Sequence, residues 1–224
     1  MFTASLKKEV APIIDSIYND GFIQGMINGD LDKDAVIHYL KADHHYLNEF
    51  AKIYSLLIPK INDKETIKFF LEQIDFVMNG EVAAHYTLAD YAEVDYKTII
   101  KLGEWYPSSD HYIKHMYFNA YRYSDAAYTI CAMAPCPYVY QELALKVKAH
   151  HDLIGNPFKA WFDFYAVEMK PLMAILDRFV DEFAQSANEE ARIILANNFK
   201  ESCIHEKRFF NMAFNQETWE SVVE

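Results

Sequence analysis

What constrains this chain most is how few helix breakers it holds and where they fall. The 6 glycines and 7 prolines among 224 residues lie between long segments whose apolar residues recur every three or four positions. That period, with breakers at the joints, reads as helix nearly throughout. Leu6, Val10, Ile13, Ile14 and Ile17 mark a first helix that stops before Asn19-Asp20-Gly21. Asp32 or Asp34 opens a long helix carrying Val36, Tyr39, Leu40, Leu47, Phe50, Ile53, Tyr54 and Leu57, which ends near Pro59. Asn62 and Asp63 open the next, through Ile67, Phe70, Leu71, Ile74 and Val77, with continuation past Gly80 to Tyr91 left open. Ser108, Ser109 and Asp110 predict the cap of a helix reaching about Tyr123. Ser124 and Asp125 start another that meets Pro135 and Pro137, where the missing backbone donors dictate a kink or break. Helix then resumes to about His151. Asn156-Pro157 reads as an N-cap followed by proline at the first helical position, and Pro171 predicts a kink or break in that run. Asn188, with Glu189 and Glu190 favourably placed against the dipole, opens a last helix to about Phe214. No alternating strand pattern, repeat or linker competes. The expectation is one all-α domain over residues 1–224, a bundle of eight to ten helices.

With 52% hydrophobic and 24% charged residues, the chain can fill a core. Lys plus Arg is 21 against 33 for Asp plus Glu, a net charge of −12. That balance argues against nucleic acid or an anionic membrane as a partner, since both need a basic footprint. It suits a neutral or cationic small ligand. The 16 Tyr and 16 Phe serve either core packing or a pocket for a flat ligand. Three cysteines, Cys131, Cys136 and Cys203, with no Cys-x-x-Cys, argue against a disulfide scaffold and a structural zinc site. The first residues carry no apolar leader stretch, and the longest apolar run, Tyr128 to Tyr140, is too short to span a bilayer. The expected location is the cytoplasm.

Metals were weighed first among candidate chemistries, because helical bundles often hold them. A di-iron site wants Glu-x-x-His on two helices. Here Glu81/His85, Glu201/His205 and His111/His115 are all spaced i, i+4, and Tyr112 stands where a zinc-protease helix needs Glu. No metal ligand is assigned, and a metal-dependent oxidase is kept as an alternative. Cys136 lies between Pro135 and Pro137. A helix N-terminus at that break would favour its thiolate; the rival reading is an inert buried thiol. Asp43 has Tyr46 one turn on, and Glu206 has Phe209 one turn on, in helices far apart in sequence. If the two faces meet, they form an aromatic box with polar tips. If not, they are solvated carboxylates beside core aromatics. Spacing alone leaves both open.

At these residues the sequence resembles the TenA/thiaminase II family, over essentially the whole chain and in the same order. The marks are Tyr39-Leu40-Lys41-Ala42-Asp43 with Tyr46-Leu47, then Glu81-Val82-Ala83-Ala84-His85, then Tyr112 with His115-Met116-Tyr117. Pro135-Cys136 with Tyr140 and Glu142, Trp161 with Tyr165, and Glu206 with Phe209 complete the set. His205 and Phe210 flank the glutamate where relatives often carry Tyr and Trp, and Pro137 follows the cysteine where other residues are also seen. The resemblance implies a heme-oxygenase-like all-α fold that binds no haem, assembled as a homotetramer. It implies hydrolysis at the methylene carbon of the thiamin pyrimidine, with no metal or organic cofactor. Thiamin or 4-amino-5-aminomethyl-2-methylpyrimidine would yield 4-amino-5-hydroxymethyl-2-methylpyrimidine for thiamin salvage. Carried over residue by residue, Cys136 is the nucleophile and Glu206 the acid/base. Asp43 reads the aminopyrimidine edge, and Tyr46, Tyr112, Tyr140, Tyr165 and Phe209 line the site. A non-catalytic pyrimidine-binding or regulatory protein on the same fold is the other alternative.

Overall fold

The computed structural model describes residues 1–80, 82–102 and 104–221, and among them every regular element is helical. The α-helices are α1 (Phe2–Tyr18), α2 (Gly21–Asn28), α3 (Lys33–Leu57), α4 (Lys64–Asp75), α5 (Val82–Ala92) and α6 (Tyr96–Ile99). They continue with α7 (Pro107–Arg122), α8 (Ala126–Met133), α9 (Pro135–His150), α10 (Lys159–Ser186) and α11 (Glu189–Phe214). Helix α11 is the centre of the bundle: α1, α2, α3, α7, α8 and α9 all pack against it. One continuous cluster of buried apolar residues runs through the molecule. Its largest members are aromatic, with Trp161, Tyr39, Tyr54, Tyr112 and Tyr165 almost fully shielded. Burying such a side chain stabilises by about 1.5–3 kcal/mol each.

Several caps are those the sequence predicts. Asp32, Asp63, Asp125 and Asn188 each accept a backbone N–H in the first turn of α3, α4, α8 and α11. Other boundaries differ, each for a local reason. Where eight to ten helices are expected, the described residues form eleven, because α2 follows α1 directly and the short α6 forms. At the α1–α2 corner Gly21 leaves room for the Phe214 ring at the end of α11, which a Cβ there would push aside. Helix α7 begins at Pro107, one residue before the expected serine cap. Proline is preorganised for the first helical position, and the capping acceptor comes from far away: Glu217 receives the Ser108 N–H at 2.9 Å. Asn156 does not cap α10. Its side chain instead accepts the Phe158 N–H at 2.8 Å and donates to the Met26 and Ile27 carbonyls, tying this loop to α2. Helix α10 runs through Pro171 without ending there.

Between α4 and α5 the chain makes a π-helical turn, Phe76–Gly80. The pattern that allowed one helix from Asn62 to Tyr91 thus covers two helices and a re-registering turn. One extra residue in a turn advances the following face by about 100° relative to a straight continuation.

Candidate active site

The site is assembled on α3, α7, α9, α10 and α11, and the join between α8 and α9 fixes its geometry. Pro135 and Pro137 have no N–H to give, so the helix cannot run on and restarts after Ala134, with Pro135 at its first position. Cys136 therefore sits in the first turn of α9. The carbonyl of Ala132, next to the break, accepts the Ser202 hydroxyl of α11 at 2.7 Å. Ser202 and Glu206 are one turn apart on the same face, so this bond holds the Glu206 face of α11 against the cysteine break.

The two acid-and-aromatic pairs do meet. Tyr46 and Tyr112 lie 5.3 Å apart between ring centroids, and Tyr46 lies 5.4 Å from Phe209. Tyr140 packs on Tyr165 at 4.8 Å, and Trp161 on Tyr165 at 4.6 Å. The Tyr140 hydroxyl bonds the Tyr39 hydroxyl at 2.8 Å, and Tyr39 stands edge-on to Phe209 at 5.8 Å. Asp43, Tyr46, Tyr112, Tyr140, Tyr165, Glu206 and Phe209 are all buried, while Cys136 is partly so. The polar groove among Ser108, His111, Arg208 and Glu217 holds none of these residues; the box is enclosed.

The electrostatics of the box follow from burial and from who faces whom. Burial pushes the Tyr46 phenol well above its ordinary value, and the neighbouring Cys136, Tyr112 and Glu206 push it further. Tyr112 is raised by burial, then by Glu206 and Cys136. Tyr140 is raised by burial and by Tyr39, Asp43 and Glu206. All three therefore remain O–H donors at any physiological pH. The Tyr46 hydroxyl faces the Cys136 thiol, and the Tyr112 hydroxyl faces Tyr46 and Glu206. The other two thiols are more deeply buried than Cys136. Cys131 and Cys203 are buried, and burial raises both well above the usual thiol range. Cys131 donates to the Leu195 carbonyl at 3.2 Å.

Every residue the sequence put forward for the site is thus brought together. Others belong to it that were given no role. Tyr39 is four residues before Asp43, a same-face spacing that could have flagged it. Trp161 and His85 stood in the quoted motifs, His85 without a function. Tyr96 had no sequence signal at all, because it reaches the site only through a contact between helices. His85 donates from one ring nitrogen toward Asp43, at 2.7 Å between Nε2 and Oδ2, and its Nδ1 lies 2.7 Å from the Tyr96 hydroxyl. Of the pairs weighed for metal, Glu81 lies outside the described residues. His111, His115 and His205 cluster on α7 and α11, but no group of three ligands is arranged to hold an ion among the described residues.

A central helix wrapped by others, with an enclosed aromatic box between them, defines an all-α protein of heme-oxygenase-like architecture built around a small-molecule site. The likeness extends to solved structures. A TenA homologue from P. horikoshii OT3 superposes with a TM-score of 0.81 over 96% of this chain and 99% of that one, at 20% identity. A domain from Shewanella denitrificans described as having a heme oxygenase-like fold gives 0.69 over 96% and 92%, at 15% identity. The chain belongs to the TENA/THI-4/PQQC family, whose model matches residues 7–216. It is 49% identical over 220 residues to the aminopyrimidine aminohydrolase of Staphylococcus saprophyticus, covering 98% of this chain and 96% of that protein.

Proposed function

We propose that this chain is an aminopyrimidine aminohydrolase of the thiaminase II type. It converts 4-amino-5-aminomethyl-2-methylpyrimidine, and thiamin, to 4-amino-5-hydroxymethyl-2-methylpyrimidine in thiamin salvage. The observation that carries the mechanism is the meeting of a helix-start thiol, Cys136, with Glu206 in one enclosed aromatic box beside Asp43.

The chemistry follows from the substrate. An amine on a methylene carbon is a poor leaving group, and direct displacement is slow. The Cys136 thiolate adds to the pyrimidine ring at the carbon next to the one bearing the methylene, while Glu206 delivers a proton to a ring nitrogen. The ring is now electron-rich and expels the protonated amine as ammonia, or the thiazole from thiamin, leaving an exocyclic methylene. Water adds to that methylene and gives its proton to the departed ammonia, the ring nitrogen returns its proton to Glu206, and the thiolate leaves. Covalent catalysis with general acid–base help splits one hard step into easier ones. Asp43, as a carboxylate, accepts from the 4-amino group and sets the register of the ring. Tyr46, Tyr112, Tyr140, Tyr165 and Phe209 provide stacking faces and, from the tyrosines, hydroxyl donors. These residues supply every group the sequence of steps requires.

We further propose that residues 1–224 act as one domain, in the cytoplasm, as a homotetramer. The family resemblance supports that assembly, and light scattering on the purified protein tests it. Among the described residues no helix is long and apolar enough to cross a membrane. The function is tested by mass-spectrometric assay of both substrates with wild type and Cys136→Ser. Absence of turnover on either substrate by the wild type would overturn it.

A further inference from the structure

We infer that His85, held in turn by Tyr96, is a positioning residue for Asp43, given the pyrimidine-reading role proposed above for that carboxylate. The three side chains come from α3, α5 and α6 and are all buried. Asp43 Oδ2 lies 2.7 Å from His85 Nε2, and His85 Nδ1 lies 2.7 Å from the Tyr96 hydroxyl. The Tyr96 hydroxyl also lies 3.3 Å from His44 Nδ1.

The chain of bonds has a direction. An ionised carboxylate only accepts, so His85 Nε2 must donate to Oδ2. In the neutral ring Nδ1 is then an acceptor, and the Tyr96 O–H must donate to it. The Tyr96 oxygen is left to accept from His44. Tyr96 thereby selects the tautomer of His85, and His85 fixes the plane and rotamer of the Asp43 carboxylate. Fold and sequence both serve this placement. The π turn Phe76–Gly80 precedes α5, and a Cβ on Gly80 would lie 2.7 Å from the Phe76 ring, so a larger residue there would force that ring to move. Turns of this kind are frequent at functional sites.

A purely structural pair would be finished within the protein, because a buried carboxylate has about four acceptor sites to fill. Asp43 is 3% exposed, yet among the described residues its carboxylate makes one side-chain hydrogen bond, through Oδ2. The remaining capacity suits the two donors of an aromatic amino group. His85 holds one oxygen so that the other can read the ligand.

The test is a double-mutant cycle on affinity for 4-amino-5-hydroxymethyl-2-methylpyrimidine, measured by calorimetry, with circular dichroism as a control for folding. Asp43→Ala and His85→Ala should each weaken binding by about 10- to 100-fold, the range for a hydrogen bond to a charged group. The double variant should bind no more weakly than Asp43→Ala alone. In turnover, His85→Ala should raise KM more than it lowers kcat, and His85→Gln, which keeps an N–H donor, should recover most of the affinity. If His85→Ala does not fold, Tyr96→Phe carries the cycle: it should weaken binding by several-fold in the presence of Asp43 and not in its absence. Wild-type affinity in Asp43→Ala would remove the reading role of Asp43, and with it this inference. Loss in Asp43→Ala with multiplicative loss in the double variant, or with no loss in His85→Ala, would overturn the inference and leave the reading role standing.

Discussion

The two ends of the buried box are finished differently. At the α3/α5/α6 end, Asp43, His85 and Tyr96 are linked by hydrogen bonds of 2.7 Å, and the chain extends to His44. At the end where α3 meets α7, α9 and α11, the Tyr46 hydroxyl faces the Cys136 thiol and the Tyr112 hydroxyl faces Tyr46 and Glu206. On the proposed reading, the first end sets the orientation of the substrate, and the second turns tyrosine hydroxyls toward charge that develops during reaction.

This contrast can be broken by substitution, and the effects should differ in size and kind. The largest belongs to Cys136→Ser at the reacting end. A serine hydroxyl at its ordinary acidity is a far weaker nucleophile than a thiolate, so turnover should fall by about 10³-fold or more. Affinity for the hydroxymethyl product should stay within about threefold, because the holding end is untouched. Retained wild-type turnover would show that Cys136 is not the nucleophile, even with the family assignment intact. Glu206→Gln comes next, with a loss of about 10²–10⁴-fold in kcat if the carboxyl shuttles the ring proton. Steady-state rates across pH check it, since Gln cannot titrate and the limb due to this group should vanish. Asp43→Ala is smaller in rate but different in kind. It should raise KM and lower kcat together, because orientation is lost along with binding. A pure kcat effect there would erase the distinction between the two ends.

Much of this site was legible in the sequence, and what escaped did so for definable reasons. The i, i+3 pairs Asp43/Tyr46 and Glu206/Phe209 are local, since helical periodicity alone puts each on one face. The proline pair around Cys136 announced a helix restart, and the restart is there. Whether the α3 and α11 faces meet was a question of packing, which periodicity does not answer; the resemblance to a family supplied that step. His85 and Tyr96 escaped as a functional unit because their roles exist only through bonds across 42 and 11 residues of chain. The cap of α7 escaped likewise, since Glu217 is 109 residues from the serine it serves. Of the kink or break expected at Pro171, the break did not occur, since α10 runs through it. A missing donor weakens one turn, but a long helix packed along α8 and α9 is held by its neighbours.

The smallest effect concerns the outer wall of the reacting end. His205 stacks nearly parallel over Tyr112, at 5.1 Å and 9°, and its Nδ1 has no hydrogen-bond partner. His111 and His115 on α7 and Arg208 on its own helix face it, while the Glu201 carboxylate lies 3.5 Å from His115. Burial first, then the positive charge His115, His111 and Arg208 can bring, push its pKa down from 6.5 to about 3. The unfolded chain takes up a proton at this residue near 6.5, and the folded protein does not until about 3. Between those values the unfolded state binds more protons, so stability from this group is complete above pH 6.5 and drains away as pH falls. His205→Phe keeps a flat ring over Tyr112 and removes the proton. Wild type and variant should therefore melt within a few degrees of each other at pH 7.5, and the wild-type Tm should fall more steeply from pH 6.5 to 4. His38, lowered to about 4 mainly by its own burial, leaves both proteins some acid sensitivity. Parallel Tm profiles over that range would mean that His205 titrates normally in the folded protein, and that water reaches this wall of the reacting end.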